Sequence, residues 1–354
     1  GTFALETQNF TTATDALNTA VGYYAGLSVS TGVQNTLIGG LAGDALTTGS
    51  YNVVVGHEAL STEDAHGNNV AIGNRALKTL NAGTAGLNTA VGDDAGTAVT
   101  TGIRNTLVGS EAGDALIDAD DNVAVGALSL SADTYGSKST AIGRGALKVQ
   151  NFTTASDSHN TAVGYSAGEL VSTGIQNTFV GSLAGDATTT ASKNVAMGTN
   201  ALSTNILGSN STAVGTAALF TQNPATATDM HNTAVGFEAG KLISTGTRNT
   251  FVGGLAGDAT DDGLDNTAMG YGSLSANCGS YNTSIGIHTL SVCTGASNTC
   301  VGHAAGLAVT GGSNNLFLGN NSGRTGSPGG NFTTESNRMV LGDENITNAH
   351  IQVA

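Results

Sequence analysis

The chain has 354 residues, with 52 Gly, no Trp, 10% charged residues and a formal net charge of −15. Globular domains average about 25% charged residues and about 7% Gly, so a chain this rich in small residues builds thin, closely stacked layers rather than a thick core. So acidic a chain is unsuited to gripping phosphate backbones, which argues against a nucleic-acid binder, and no apolar run reaches the roughly 20 residues of a membrane helix, which argues against membrane insertion.

Read from the N terminus, Gly1-Thr2-Phe3-Ala4-Leu5 already matches the interior of a repeat, so the chain opens in mid-repeat, as a piece of something longer would. The first full repeat runs from Asn18 to Gln34. Asn18-Thr19-Ala20-Val21 is apolar and β-branched and predicts a strand. Gly22 to Gly26 predicts a turn, Leu27-Ser28-Val29 a weaker second strand, and Thr31-Gly32 a second turn. Glycine at both corners allows positive φ where the chain bends.

The strand motif then recurs, with its closing glycine at Gly22, Gly39, Gly56, Gly73 and Gly92, steps of 17, 17, 17 and 19 by subtraction. The next glycines are Gly109, Gly126, Gly143 and Gly164, steps of 17, 17, 17 and 21, and the same four steps lead on to Gly236. Four residues after these glycines the chain reads Gly26, Gly43, Leu60, Leu77 and then Gly96, Gly113, Leu130, Leu147, so rungs are grouped in fours. A longer polar connector follows each fourth rung, as at Thr7–Asp15, Val149–Asp157 and Thr221–Asp229, with a shorter one at Thr79–Leu87. Such a period is the signature of a repeat architecture. It is too short for helix pairs, and Gly, Thr, Asn and Val are poor helix formers. The expectation is an all-β parallel β-solenoid, a β-roll of about 17-residue two-strand rungs, with about 19 rungs over residues 1–325 and a rod roughly 90 Å long at the usual strand spacing.

The rhythm breaks after Gly319. The turn-rich stretch from Asn320 to Gly330 contains Pro328, and the next Val-Leu-Gly ends only at Gly342. This predicts that the roll stops near residue 325, and that residues 326–354 form a hinge and a terminal β segment capping the open end.

Asn begins 16 of the 18 strand motifs from Gly22 to Gly319, with Ser139 and Ser211 as the exceptions. Stacked in register, Asn18, Asn35, Asn52, Asn69, Asn88, Asn105 and Asn122 are expected to form a structural hydrogen-bonded ladder. Within each strand both faces are apolar, and a lone roll needs only one. The residue before each glycine, such as Val21 or Ile38, is assigned to the inside. The middle residues, with Leu37, Leu107, Phe179, Phe251 and Phe317 as the bulkiest, are assigned to an interface with partner chains.

At Asn18-Thr-Ala-Val-Gly22, Ser139-Thr-Ala-Ile-Gly143 and Ser211-Thr-Ala-Val-Gly215 the sequence resembles the head repeats of trimeric autotransporter adhesins. The resemblance implies a homotrimeric, left-handed roll, although repeats of that family are usually shorter. The form Asn160-Thr-Ala-Val-Gly-Tyr-Ser-Ala-Gly168 is similar to repeats in bacteriophage tail fibres. There the array commonly precedes an endosialidase-type intramolecular chaperone, and the tail from Ser336 to Ala354 looks like the segment before that absent C-terminal domain. The resemblance covers nearly the whole chain. It implies an extracellular location on a virion and a role in host attachment, with the chain itself and a host surface receptor as partners; the alternative is a bacterial surface adhesin.

No constellation for chemistry stands out. None of the seven His lies in a metal-binding array, no GxSxG elbow or phosphate loop exists, and Cys278, Cys293 and Cys300 lack zinc spacing. Cys278 and Cys293 fall at nearly matching offsets in adjacent rungs, which leaves both a disulfide and a stack of free thiols open. Asp44, Asp114, Asp186 and Asp258 recur four rungs apart, as turn-closing carboxylates or as a cation site on a trimer axis. The reading is that of a structural protein that is not an enzyme, with no cofactor and no metal.

Overall fold

The computed structural model describes residues 1–346. The chain divides into two compact units, residues 1–182 and 183–354. It is a parallel β-solenoid of about 18 turns with repeats of about 17 residues, and no helix occurs among the described residues. In the first unit the strands run from Thr19–Val21 and Thr36–Ile38 to Thr161–Val163 and Thr178–Val180. Each pairs with the next in parallel and in equal register, Ala20 opposite Leu37 and Leu37 opposite Val54. The second unit repeats the scheme from Val195–Met197 to Met339–Leu341, with Ala234 opposite Phe251 and Phe251 opposite Ala268.

Each rung carries one regular three-residue strand rather than two. The Leu27–Val29 side is built of turns. It still stacks by hydrogen bonds between rungs, with Gly26 N donating to Ala42 O (3.0 Å), Ser28 N to Asp44 O (3.0 Å) and Ser30 N to Thr47 O (2.9 Å). The left-handed residues Tyr24 and Gly26, with φ of 58° and 61°, precede it, and Leu27 N and Val29 N donate back to Tyr24 O and Gly26 O (both 3.1 Å), closing turns in place of a strand. The additional strands are two-residue pairs at corners, Gly136–Ser137 with Ser156–Asp157 and Gly208–Ser209 with Thr228–Asp229.

The two corners use glycine for different reasons. Gly22 has φ of 145°, and a Cβ on it would lie 2.2 Å from Gly39 O of the next rung. Gly32 does not take positive φ; it is small because its Cβ would meet Gly49 O at 2.3 Å. The left-handed residue of that second corner is the one before each Asn, and in no described rung is it glycine: Leu17, Gln34, Tyr51, His159 and His231 all have φ between 50° and 63°. A non-glycine residue there costs roughly 1–2 kcal/mol, which the hydrogen bonds between rungs offset.

The core lies within the coil, and its volume is shared between adjacent rungs. A Cβ on Gly26 would lie 2.5 Å from Leu37 Cδ1 of the next rung and 3.0 Å from Leu5 Cδ2 of the previous one. A Cβ on Gly257 would meet the Phe251 ring at 2.6 Å. Where Leu60, Leu77, Leu130 or Leu147 stands at that position, the strand's middle residue is the smaller Val54, Ala71, Ala124 or Ala141. The Gly, Gly, Leu, Leu rotation is therefore a packing code.

This packing reverses the assignment of faces. Leu37, Leu107, Phe179, Phe251 and Phe317 are fully buried within the coil of the single chain, so they do not line a surface for partners. The residues flanking them in the strand, Thr36 and Ile38 or Thr233 and Val235, point outward. Apolar character alone did not distinguish the faces, because the outward residue before each glycine is also apolar.

The roll also continues past residue 325. Met339–Leu341 pairs in parallel with Leu316–Leu318, with Phe317 opposite Val340, as one more stacked rung. Arg338 N donates to Asn315 Oδ1 (2.9 Å), so Arg338 occupies the Asn position and Asn337 the left-handed position before it. Asn320 to Gly323 still form the stacked turn, with Ser322 buried and its carbonyl accepting Gly306 N (2.8 Å); the extra residues fall between Arg324 and Asn331, and Phe332 returns against Phe317 with ring centroids 5.7 Å apart. The register of a rung is set by its strand and its Asn, so an insertion at the corner does not end the stack. Residues 347–354, the remainder of the expected cap, lie outside the described residues.

Candidate functional site

Asn18, Asn35, Asn52, Asn69, Asn88, Asn105 and Asn122 stand in one column in the first unit. The ladder runs from side chain to main chain: Asn35 N donates to Asn18 Oδ1 (2.8 Å), Asn52 N to Asn35 Oδ1 (3.0 Å) and Asn105 N to Asn88 Oδ1 (2.8 Å). The amide nitrogen reaches the corner of the following rung, Asn35 Nδ2 to Gly49 O (2.9 Å) and Asn105 Nδ2 to Ala119 O (2.7 Å). Amide-to-amide contacts are secondary, as between Asn52 Nδ2 and Asn35 Oδ1 at 3.2 Å. Each Asn satisfies polar groups of two rungs inside a small core, where an unpaired group is costly.

Two serines interrupt the column, and the structure shows what replaces the missing amide. Gln150 Nε2 donates to Ser139 Oγ (2.8 Å), and Gln150 Oε1 accepts from Asn160 Nδ2 (2.8 Å). In the second unit Gln222 links Ser211 and Asn232 in the same way. Sequence reasoning missed both glutamines, although the pairing was visible: Gln150 and Gln222 accompany Ser139 and Ser211, while the equivalent Leu80 accompanies Asn69. Gln150 also donates to Asp133, a fully buried carboxylate that accepts Gly136 N (3.0 Å) and Phe152 N (3.1 Å). Burial pushes the Asp133 pKa up, against the pull of these donors.

The outer strand face differs in kind. Its two columns consist of Thr, Val, Ile, Met and Leu, and no strand residue in them is charged. In the isolated chain Val21 is 56% exposed, Met197 43% and Val235 38%. Charges lie away from it, many paired between rungs at the second corner. Arg104 holds Asp121 with two bonds (2.6 and 2.9 Å), and Arg248 holds Asp265 likewise (2.7 and 2.8 Å). His159 and His231 sit at that same corner position, which Leu17 also fills.

The recurrent aspartates sit on the turn side, one rung-group apart within each unit. One carboxylate oxygen of Asp44, Asp114 and Asp258 is buried without a hydrogen-bond partner, whereas Asp186 accepts from Ser203 Oγ at 2.7 Å. Desolvation raises the pKa of Asp44, Asp114 and Asp258, that of Asp114 to about 6. Glu63, Asp64 and His66 bring potential metal ligands within 4.8 Å of one another. The fully buried Glu63 already accepts His66 N and His66 Nδ1 (both 3.1 Å) and Ala82 N (3.3 Å), so it serves to close the corner. Cys278, Cys293 and Cys300 are buried free thiols; Cys300 lies inside the coil and not on the outer face.

The feature that distinguishes the surface is thus an uncharged strand face of one threonine-rich and one aliphatic column, repeated once per rung beside the asparagine column. No protein-family model matches the chain, and no curated protein sequence matches it.

Proposed function

We propose that the chain is a shaft segment of an extracellular homotrimeric fibre, of the kind found in phage tails, which spans distance and presents a host-binding element. The observation that carries this reading is the outer strand face, which is uncharged and carries beside a threonine-rich column a continuous aliphatic one, half-buried to exposed in the single chain. Contiguous apolar surface of this kind marks an interaction site. Its side chains recur at the rung spacing, about 4.8 Å for strands, and a second copy of the same coil offers a surface of matching pitch and chemistry. Passive stacking of self-similar rungs suits a spacer, and the reading assigns the chain no catalytic step.

Mass measurement in solution tests it. The expected result is a trimer for the whole chain, and a monomer for Val163→Asp combined with Val235→Asp, in which unpaired charges oppose burial of that face. A soluble wild-type monomer that remains monomeric at high concentration would overturn the proposal.

A further inference from the structure

The second unit holds three buried thiols, and two of them are consecutive members of one inner column. On the turn side the core is lined in succession by Ile243, Thr260, Cys278, Cys293 and Val309, all buried. Thr260 Oγ1 lies 3.3 Å from Cys278 Sγ, and Asn298 Nδ2 donates to Cys293 Sγ at 3.5 Å. The rungs carrying the two cysteines are adjacent, since Thr267–Met269 pairs in register with Thr283–Ile285. Gly279 N, one residue past Cys278, donates to Thr294 O, one residue past Cys293, and to Gly295 O, both at 3.2 Å. Stacked rungs about 4.8 Å apart place the two Cα atoms within the roughly 4.4–6.8 Å that a disulfide spans. Cys300 belongs to the other wall of the core, in the strand column between Ser284 and Phe317.

We propose that Cys278 and Cys293 form a disulfide site, a covalent staple between adjacent rungs that closes when the chain folds in the presence of a small-molecule disulfide. In the exchange, a thiolate from one cysteine attacks the oxidant and the other cysteine then resolves the mixed disulfide. Two S–H bonds are lost, one S–S bond forms, and the oxidant takes up the two electrons and leaves as two thiols. Burial pushes both thiol pKa values up, that of Cys278 to about 11, so the finished coil exchanges slowly. The bond forms while the rungs are still stacking. This inference is independent of the trimeric reading.

The test is to refold the whole chain in a mixture of reduced and oxidised glutathione, denature it, alkylate the free thiols and map the peptides by mass. The expected result is one alkylated cysteine of the three, Cys300, with the peptides of Cys278 and Cys293 linked. The Cys300→Ala chain should retain the link, and Cys293→Ala should leave both remaining thiols alkylated. The oxidised wild type should also unfold at higher denaturant concentration than the reduced protein. Alkylation of all three cysteines after oxidising refolding, or a link that involves Cys300, would overturn the proposal.

Discussion

Phe251 and Val235 lie on neighbouring strands of one sheet, one side chain inside the coil and the other outside it. Both positions are apolar along the array, with Ser284 the inner exception among the described rungs, yet they obey different rules. The inner position varies in size, from Ala234 to Phe251 to Ala268, and each change is matched by a glycine or leucine elsewhere in the core. The outer position stays a medium-sized aliphatic residue, because nothing within the chain presses on it. Size variation with compensation marks a packed interior; a column of medium-sized Val, Ile, Met and Leu marks a face suited to repetitive contact.

The largest expected effect separates the two. Phe251→Ala removes a ring that fills the space above Gly257, and truncations of this kind cost about 3–5 kcal/mol. Chemical denaturation should show that loss at every protein concentration. Val235→Ala should act through association instead, so its effect on the unfolding midpoint should depend on protein concentration. Equal, concentration-independent losses for the two substitutions would erase the distinction between the faces.

This contrast also explains what was legible in the sequence. The period, the β class, the stacking and the asparagine column follow from spacing, since each rung repeats the same local chemistry. The sidedness of the strand does not follow from hydropathy, as Val21 and Leu37 are both apolar. It was encoded in the link between residue size and the Gly/Leu rotation, which only contact between rungs reveals. The second strand of each rung is replaced by turns, because turn bonds such as Leu27 N to Tyr24 O and Val29 N to Gly26 O run into it from the left-handed residues that precede it. The last rung was hidden by its long corner loop and by Arg338 in place of Asn.

A smaller effect is expected from the column behind the strands. Asn105→Ala deletes the amide donor to Ala119 O and the acceptor for Asn122 N. Two buried main-chain groups then lack partners, at about 1–3 kcal/mol. Hydrogen exchange should speed up at Asn122 and the adjoining rungs of the first unit, while rungs far along the column keep their protection, as expected where stability is built from nearest neighbours. Uniform loss of protection along that unit would show instead that the column is a single cooperative element.

The smallest effect concerns the turn side, where polar groups are less well satisfied than in the asparagine column. Asp114 keeps one oxygen buried without a partner, and Glu111 and Asp94 add negative charge nearby. Its pKa therefore rises from 3.8 to about 6 on folding. A carboxyl group with a raised folded pKa favours the native state while protonated. Its contribution is fully present below about pH 3.8 and is lost as pH rises through about 6. Asp44 and Asp258 shift in the same direction for the same reason. The Asp121 pKa is lowered by Arg104, so that pair works in the opposite sense and weakens as pH falls through the lowered value. Asp114 is only half-buried, so solvent screening limits its share to about 1 kcal/mol or less. Asp114→Asn should raise the melting temperature at pH 7 by a few degrees at most, leave it nearly unchanged at pH 4, and flatten the pH dependence between these values. A substitution that destabilises the chain equally at both pH values would show that the aspartate closes its turn as an anion, and that the turn side is as well satisfied as the asparagine column.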